Sequence, residues 1–204
     1  ALPMSLFEEP YRYFVLNKPY NMVSQFVSSH KVRLLCHLQF AFPEGTHAIG
    51  RLDKDSEGLL LLTTDRRITR LLFQSKVPHF RKYLIQVRGE VNEAVVEQLR
   101  NGVPIPVAEE TSYLTKPCEV EHVQEPVGLF SNGNELHERV PRSWLTISLT
   151  EGKYHQVRKM VQAVGHPCKR LIRLSIEDIE LEDMQPGEIR EMNQEEFYRR
   201  LRLK

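Results

Sequence analysis

The sequence predicts an α+β fold, with a mixed, mostly antiparallel central sheet and flanking helices. Short runs of alternating apolar residues recur, as in Tyr83–Val87 and Leu145–Leu149, and this two-residue period marks half-buried strands. Other segments have helical spacing, such as Val95, Val96 and Leu99, or Val157, Met160, Val161 and Val164, each giving one apolar face. Strands and helices mix without a regular βαβ period and without an internal repeat, which disfavours a doubly wound parallel sheet.

In chain order, the first strand runs from Tyr11 to Leu16 and ends at Asn17-Lys18-Pro19. Ser24 to Phe42 is irregular, with a short helix near Arg33 to His37. Gly58 to Thr63 is a continuous apolar run, as expected of a strand buried on both faces. Ile68, Leu71 and Leu72 give a short helix whose outer face carries Arg66, Arg67 and Arg70. Asn92 suits the N-cap of the next helix and Gly102 its stop. Thr115 to Arg142, rich in Pro, Gly, Asn and Glu, reads as a hairpin or a mobile loop. The late helix through Val157 to Val164 ends at Gly165 and Pro167. Asn193, with Glu196 three residues on, starts a final helix.

The densest polar cluster joins the buried strand directly: Gly50-Arg51-Leu52-Asp53-Lys54-Asp55-Ser56-Glu57-Gly58, then four leucines and Thr63. Asp, Ser and Gly in this density suit a turn. Asp53, Asp55, Glu57 and Gly58 also occupy the first, third, fifth and sixth places of a calcium loop, but Thr64 stands where the bidentate Glu is required. The metal reading fails. What remains is a charged loop fixed to a rigid strand, which is how catalysis holds a carboxylate.

The chain has 204 residues, 41% of them hydrophobic, enough for one large domain or two small lobes around a real core. No apolar run approaches a membrane span and no signal peptide is visible. Cys36, Cys118 and Cys168 are widely spaced, without metal-ligand pairing, and read as reduced and structural. The formal net charge is only +1, yet the cations are segregated. Arg66 to Arg88 and Lys153 to Arg173 contain no acid, whereas acids gather from Glu177 to Glu196. Such asymmetry suggests a one-sided footprint for phosphates.

The Gly50–Thr63 run resembles the signature of the RsuA-type pseudouridine synthases. Three further segments match that family in order: Asn17-Lys18-Pro19-Tyr20, Arg81-Lys82-Tyr83-Leu84-Ile85-Gln86-Val87, and Glu151-Gly152-Lys153-Tyr154-His155-Gln156-Val157-Arg158-Lys159-Met160. The resemblance spans nearly the whole chain. It implies the family's catalytic fold, two lobes around a cleft, over residues 11–204 after a tail at 1–10. It leaves no room before residue 17 for the small S4 RNA-binding domain that many relatives carry.

The implied activity is site-specific isomerisation of uridine to pseudouridine in ribosomal RNA, with the 23S RNA of the large subunit as the expected partner. The implied catalytic residues are Asp53, Tyr83 and Arg158. Asp53 acts on the ribose, Tyr83 stacks on a flipped-out base, and Arg158 pairs with the catalytic carboxylate. Arg51, Lys18, Arg81, Lys153, His155 and Gln156 are the expected RNA contacts. No metal and no cofactor are expected, since the reaction involves no net oxidation, hydrolysis or energy source. A cytoplasmic monomer needing no protein partner and no membrane completes the expectation. Two other classes compete: a non-catalytic RNA-binding protein on the same scaffold, and a glycosidase that hydrolyses the same bond and releases uracil.

Overall fold

A computed structural model describes residues 10–108 and 111–203. The N-terminal tail expected at residues 1–10 therefore lies outside the described residues except for Pro10. The elements in order are β1 (Tyr13–Lys18), a 3-10 turn (Leu35–His37), β2 (His47–Ile49), β3 (Glu57–Thr63), α1 (Ile68–Phe73) and β4 (Arg81–Arg88). Next come α2 (Glu93–Asn101), β5 (Pro104–Pro106), β6 (Ser112–Leu114), β7 (Glu119–Val123) and β8 (Arg142–Leu149). The chain closes with α3 (Gln156–Ala163), β9 (Cys168–Ile176), β10 (Ile179–Glu180), β11 (Ile189–Met192) and α4 (Gln194–Arg200). The class is α+β, as expected.

The chain forms two compact units. One holds the described residues up to Val77 together with those from Glu177 onward; the other holds Pro78–Ile176. In the first unit β1 pairs antiparallel with both β11 and β3, and β2 pairs antiparallel with β3. Every residue of β3 is buried, so both of its faces are covered and its four leucines need no polar alternation. Phe14, Leu16, Met22, Leu35, Leu52, Leu60 and Leu62 form one core.

A second anchor in this unit is ionic. The buried Asp65 carboxylate accepts hydrogen bonds from Tyr13 Oη at 2.7 Å, Tyr198 Oη at 3.0 Å and Arg67 Nε and Nη2, both at 2.9 Å. Burial alone pushes that carboxyl up, but these donors outweigh it and hold the group well below the usual carboxylate range. Arg67 is thereby removed from the expected free basic face, because the acid that takes it sits just upstream of the acid-free stretch.

In the second unit the antiparallel order is β9-β4-β8-β7, with β5 and β6 as a separate hairpin. Ile85, Val87, Val96, Leu99, Leu145, Ile147, Met160 and Val161 belong to its core, which the apolar faces of α2 and α3 complete. Asn92 caps α2 by accepting from the Val95 amide at 3.0 Å. Gly102 ends it at φ +103°, where a Cβ would stand 2.2 Å from the Thr115 carbonyl oxygen; only glycine fits.

The stretch Thr115 to Arg142 is neither a simple hairpin nor unanchored. It supplies β7, then a long loop tied down by two arginines. Arg170 Nη2 donates to the Phe130 carbonyl at 2.7 Å, and Arg142 Nη2 donates to that of His137 at 2.6 Å. Arg170 and Arg173 are 4% and 3% exposed, so they leave the phosphate-facing basic set in which the sequence places them.

Candidate active site

The turn that carries Asp53 is built in the first unit, largely through its backbone. Gly50 adopts φ +64°, and a Cβ there would lie 2.9 Å from Cζ of Phe73 at the end of α1. Dihedral and space both call for glycine. Leu52 is buried, and Ser24 clamps it on both sides. The Ser24 hydroxyl accepts from the Leu52 amide at 3.1 Å and donates to the Leu52 carbonyl at 2.8 Å. The Asp53 carbonyl accepts from the Ser56 amide at 3.0 Å, and that of Lys54 accepts from the Asn21 amide at 2.8 Å. Beyond the turn β3 begins, so the half-buried Asp53 follows a clamped residue and leads into a rigid strand.

Lys18 belongs to this scaffold, and its expected RNA contact is corrected. It is fully buried, and its Nζ donates to the carbonyls of Pro19 at 2.8 Å, Met22 at 2.6 Å and Lys54 at 3.5 Å. A buried ammonium needs such acceptors, and here they shape the loops on either side of Asp53. Arg51 is exposed, and its guanidinium makes no ion pair or hydrogen bond among the described residues.

The remaining expected residues lie in the second unit. Tyr83 sits in β4 between Ile147 of β8 and Arg173 of β9. It is half-buried and packs against the core. Arg81 begins the same strand, with its guanidinium alongside Gly152: a Cβ added there would be 3.5 Å from Nη2. Arg158 lies half-buried in the first turn of α3. His155 enters that helix at φ +53°, its ring stacked on Tyr154 at 3.8 Å. Lys153 places Nζ over the Tyr113 ring, 4.7 Å from the centroid.

Gln156 is the second correction. Only 4% of it is exposed, because it braces the turn from within. Its Oε1 accepts from the Lys153 amide at 3.0 Å and its Nε2 donates to Glu151 Oε1 at 2.8 Å. The same carboxylate accepts from the Lys116 amide at 2.8 Å and from the Tyr113 hydroxyl. Burial raises the Glu151 pKa, but these hydrogen bonds win and hold it below the ordinary range.

The expected residues thus fall into two sets, Lys18, Arg51 and Asp53 in one unit and Arg81, Tyr83, Lys153, His155, Gln156 and Arg158 in the other. Residue patterns gave no role to Ser24, Phe73, Tyr113 or Glu151, whose importance arises from contacts far apart in sequence. No group of metal-binding side chains occurs among the described residues, and none of their helices is long and apolar enough to cross a membrane. Cys36, Cys118 and Cys168 are free thiols. Burial pushes that of Cys118 up to about 11, with Glu151 and Glu119 adding to the effect, so it is a poor nucleophile at neutral pH.

Comparison with known proteins agrees with the family resemblance. The family model described as RNA pseudouridylate synthase matches residues 12–163. Ribosomal large subunit pseudouridine synthase E of Vibrio vulnificus is 38% identical over 88% of this chain and 74% of its own length. The protein of the same name from Xanthomonas axonopodis pv. citri is 35% identical over 84% of this chain and 89% of its own. Ribosomal small subunit pseudouridine synthase A of Escherichia coli is 30% identical over 91% and 72% respectively. Among solved structures, one described as a crystal structure of pseudouridylate synthase superposes with a TM-score of 0.73 at 28% identity, covering 96% of this chain and 75% of that one.

Proposed function

The chain belongs to the RNA pseudouridylate synthase family, and from that premise we propose that it isomerises a specific uridine of large-subunit ribosomal RNA. The observation that carries this reading is the clamped Gly50–Gly58 turn, whose Asp53 matches the family's catalytic position in sequence. The names of the first relatives, which specify the large ribosomal subunit, support that choice of RNA.

In the proposed reaction the target uridine leaves its stack, at a cost of a few kcal/mol. The N1–C1′ bond breaks, the base turns, and C5 forms the new bond to C1′. The C5 hydrogen is then lost to solvent and N1 gains a proton, so the product is an isomer and no co-reactant is consumed. Cleavage develops positive charge at C1′, where the Asp53 carboxylate attacks or stabilises the centre. Tyr83 is assigned to the flipped base, where an aromatic ring offsets part of the lost stacking. Arg158 is assigned the guanidinium that keeps the carboxylate ionised. Arg51, Arg81, Lys153 and His155 are assigned to the RNA. The reading carries with it a cytoplasmic, monomeric enzyme that works without a protein partner or cofactor.

The test is incubation of the protein with ribosomal RNA transcripts labelled with tritium at C5 of uridine, followed by nucleoside analysis. Tritium release with pseudouridine in the digest is the expected result. Free uracil supports a glycosidase instead, and neither product leaves a non-catalytic RNA-binding protein.

A further inference from the structure

Three arginines stand within five positions at the start of α1, and they have different fates. Arg67 is bound to the buried Asp65. Arg66 and Arg70 are exposed, and their guanidinium groups make no ion pair or hydrogen bond among the described residues. No acid occurs from Arg66 to Lys76, so nothing local neutralises them.

Arg70 lies in the first turn of α1, and Arg66 in the turn that leads into it, four residues earlier. Phe73 comes three residues after Arg70, on the same side of the helix. The residue is 40% exposed, and its ring lies against Gly50, the residue before Arg51. Arg51 is again an exposed cation without an internal partner. The strip Arg66, Arg70, Phe73, Gly50, Arg51 therefore runs over one unit and ends at the Asp53 turn.

We propose that this strip is a binding site for single-stranded RNA. Arg66 and Arg70 hold successive backbone phosphates, and Phe73 stacks on one unpaired base next to the target uridine. The inference deepens the isomerase reading and rests on it for the identity of the substrate. Free guanidinium groups interleaved with an exposed aromatic ring are what sequence-tolerant single-strand binding uses: charge holds the backbone, and any base offers a π-face. Because Phe73 touches Gly50, base stacking on its outer face bears on the turn itself.

Binding of a fluorescently labelled oligouridylate across a series of salt concentrations tests the site. Neutralising both cations, as Arg66→Gln with Arg70→Gln, is expected to make the plot of log affinity against log salt shallower by about 1.4, two phosphates at roughly 0.7 each. Phe73→Leu keeps an apolar contact with Gly50 but loses the stacking face, and is expected to weaken binding about tenfold at an unchanged slope. Arg202→Gln serves as the control, since that guanidinium is already paired with Asp178 at 3.1 Å, and its slope should equal that of the wild type. In tritium release, the double variant should raise KM by more than it lowers kcat. A wild-type slope in the double variant, or wild-type affinity in Phe73→Leu, overturns the strip. Absence of tritium release from the wild-type protein overturns the isomerase reading instead, and the salt slopes still decide whether the strip binds RNA.

Discussion

Side chains of Ser24 and Lys18 grip the main chain of the Gly50–Gly58 turn in one unit, whereas in the Glu151–His155 turn of the other a carboxylate gathers the donors. In the first, Ser24 grips the amide and carbonyl of Leu52, and Lys18 and Asn21 share the carbonyl of Lys54. In the second, one carboxylate gathers Tyr113, the Lys116 amide and Gln156. The difference teaches how each can serve a reaction. The Ser24 grip on the Leu52 main chain contains no carboxylate and does not depend on the ionisation of one. A turn gathered by Glu151 rests on one ionised carboxylate, so its hold is expected to weaken in acid.

The contrast can be broken most severely at Glu151. Glu151→Gln keeps the shape but turns an amide N–H₂ toward groups that are themselves donors. A loss of about 2–3 kcal/mol in thermal or denaturant unfolding is expected. A loss under about 0.5 kcal/mol shows that the network is not what holds this turn. Ser24→Ala should cost less, about 1–2 kcal/mol, because two neutral hydrogen bonds disappear. Its kinetic signature is more telling: kcat for tritium release falls about tenfold while KM for RNA stays within a factor of two, as a displaced Asp53 requires. An unaltered kcat removes Ser24 from the positioning of the turn.

The smallest effect is the acid response. Hydrogen bonding holds the Glu151 carboxyl below its unfolded value despite burial. Its contribution is therefore present above the ordinary carboxylate pKa of about 4.3 and is lost as pH falls through the lower, folded value. The stability gap between wild type and Glu151→Gln should accordingly narrow in acid, while the gap for Ser24→Ala stays constant. Parallel curves for Glu151→Gln would show that no ionisation is involved.

Legibility in the sequence followed the locality of the cause. The β3 leucines, the Asn92 and Asn193 caps and the apolar face of α3 depend on neighbours in the chain, and pattern alone located them. β9 was missed because Arg170 and Arg173 interrupt its apolar pattern and read as solvated cations. Their burial depends on distant partners such as the Phe130 carbonyl. The same reason explains Lys18 and Gln156, whose residue types suggest RNA contact. Only the convergence of the Met22 and Lys54 carbonyls on the one, and of Glu151 and the Lys153 amide on the other, shows them to be internal braces. Asp53 was legible because the motif around it is contiguous. Ser24, nearly thirty residues from Leu52, left no local sign.

The central claim is that Asp53 performs the chemistry. Asp53→Asn preserves size and removes only the charge. The account expects tritium release to fall about a thousandfold or more, with oligouridylate affinity within a factor of two and an unchanged melting temperature. Turnover near that of the wild type in this variant would contradict it.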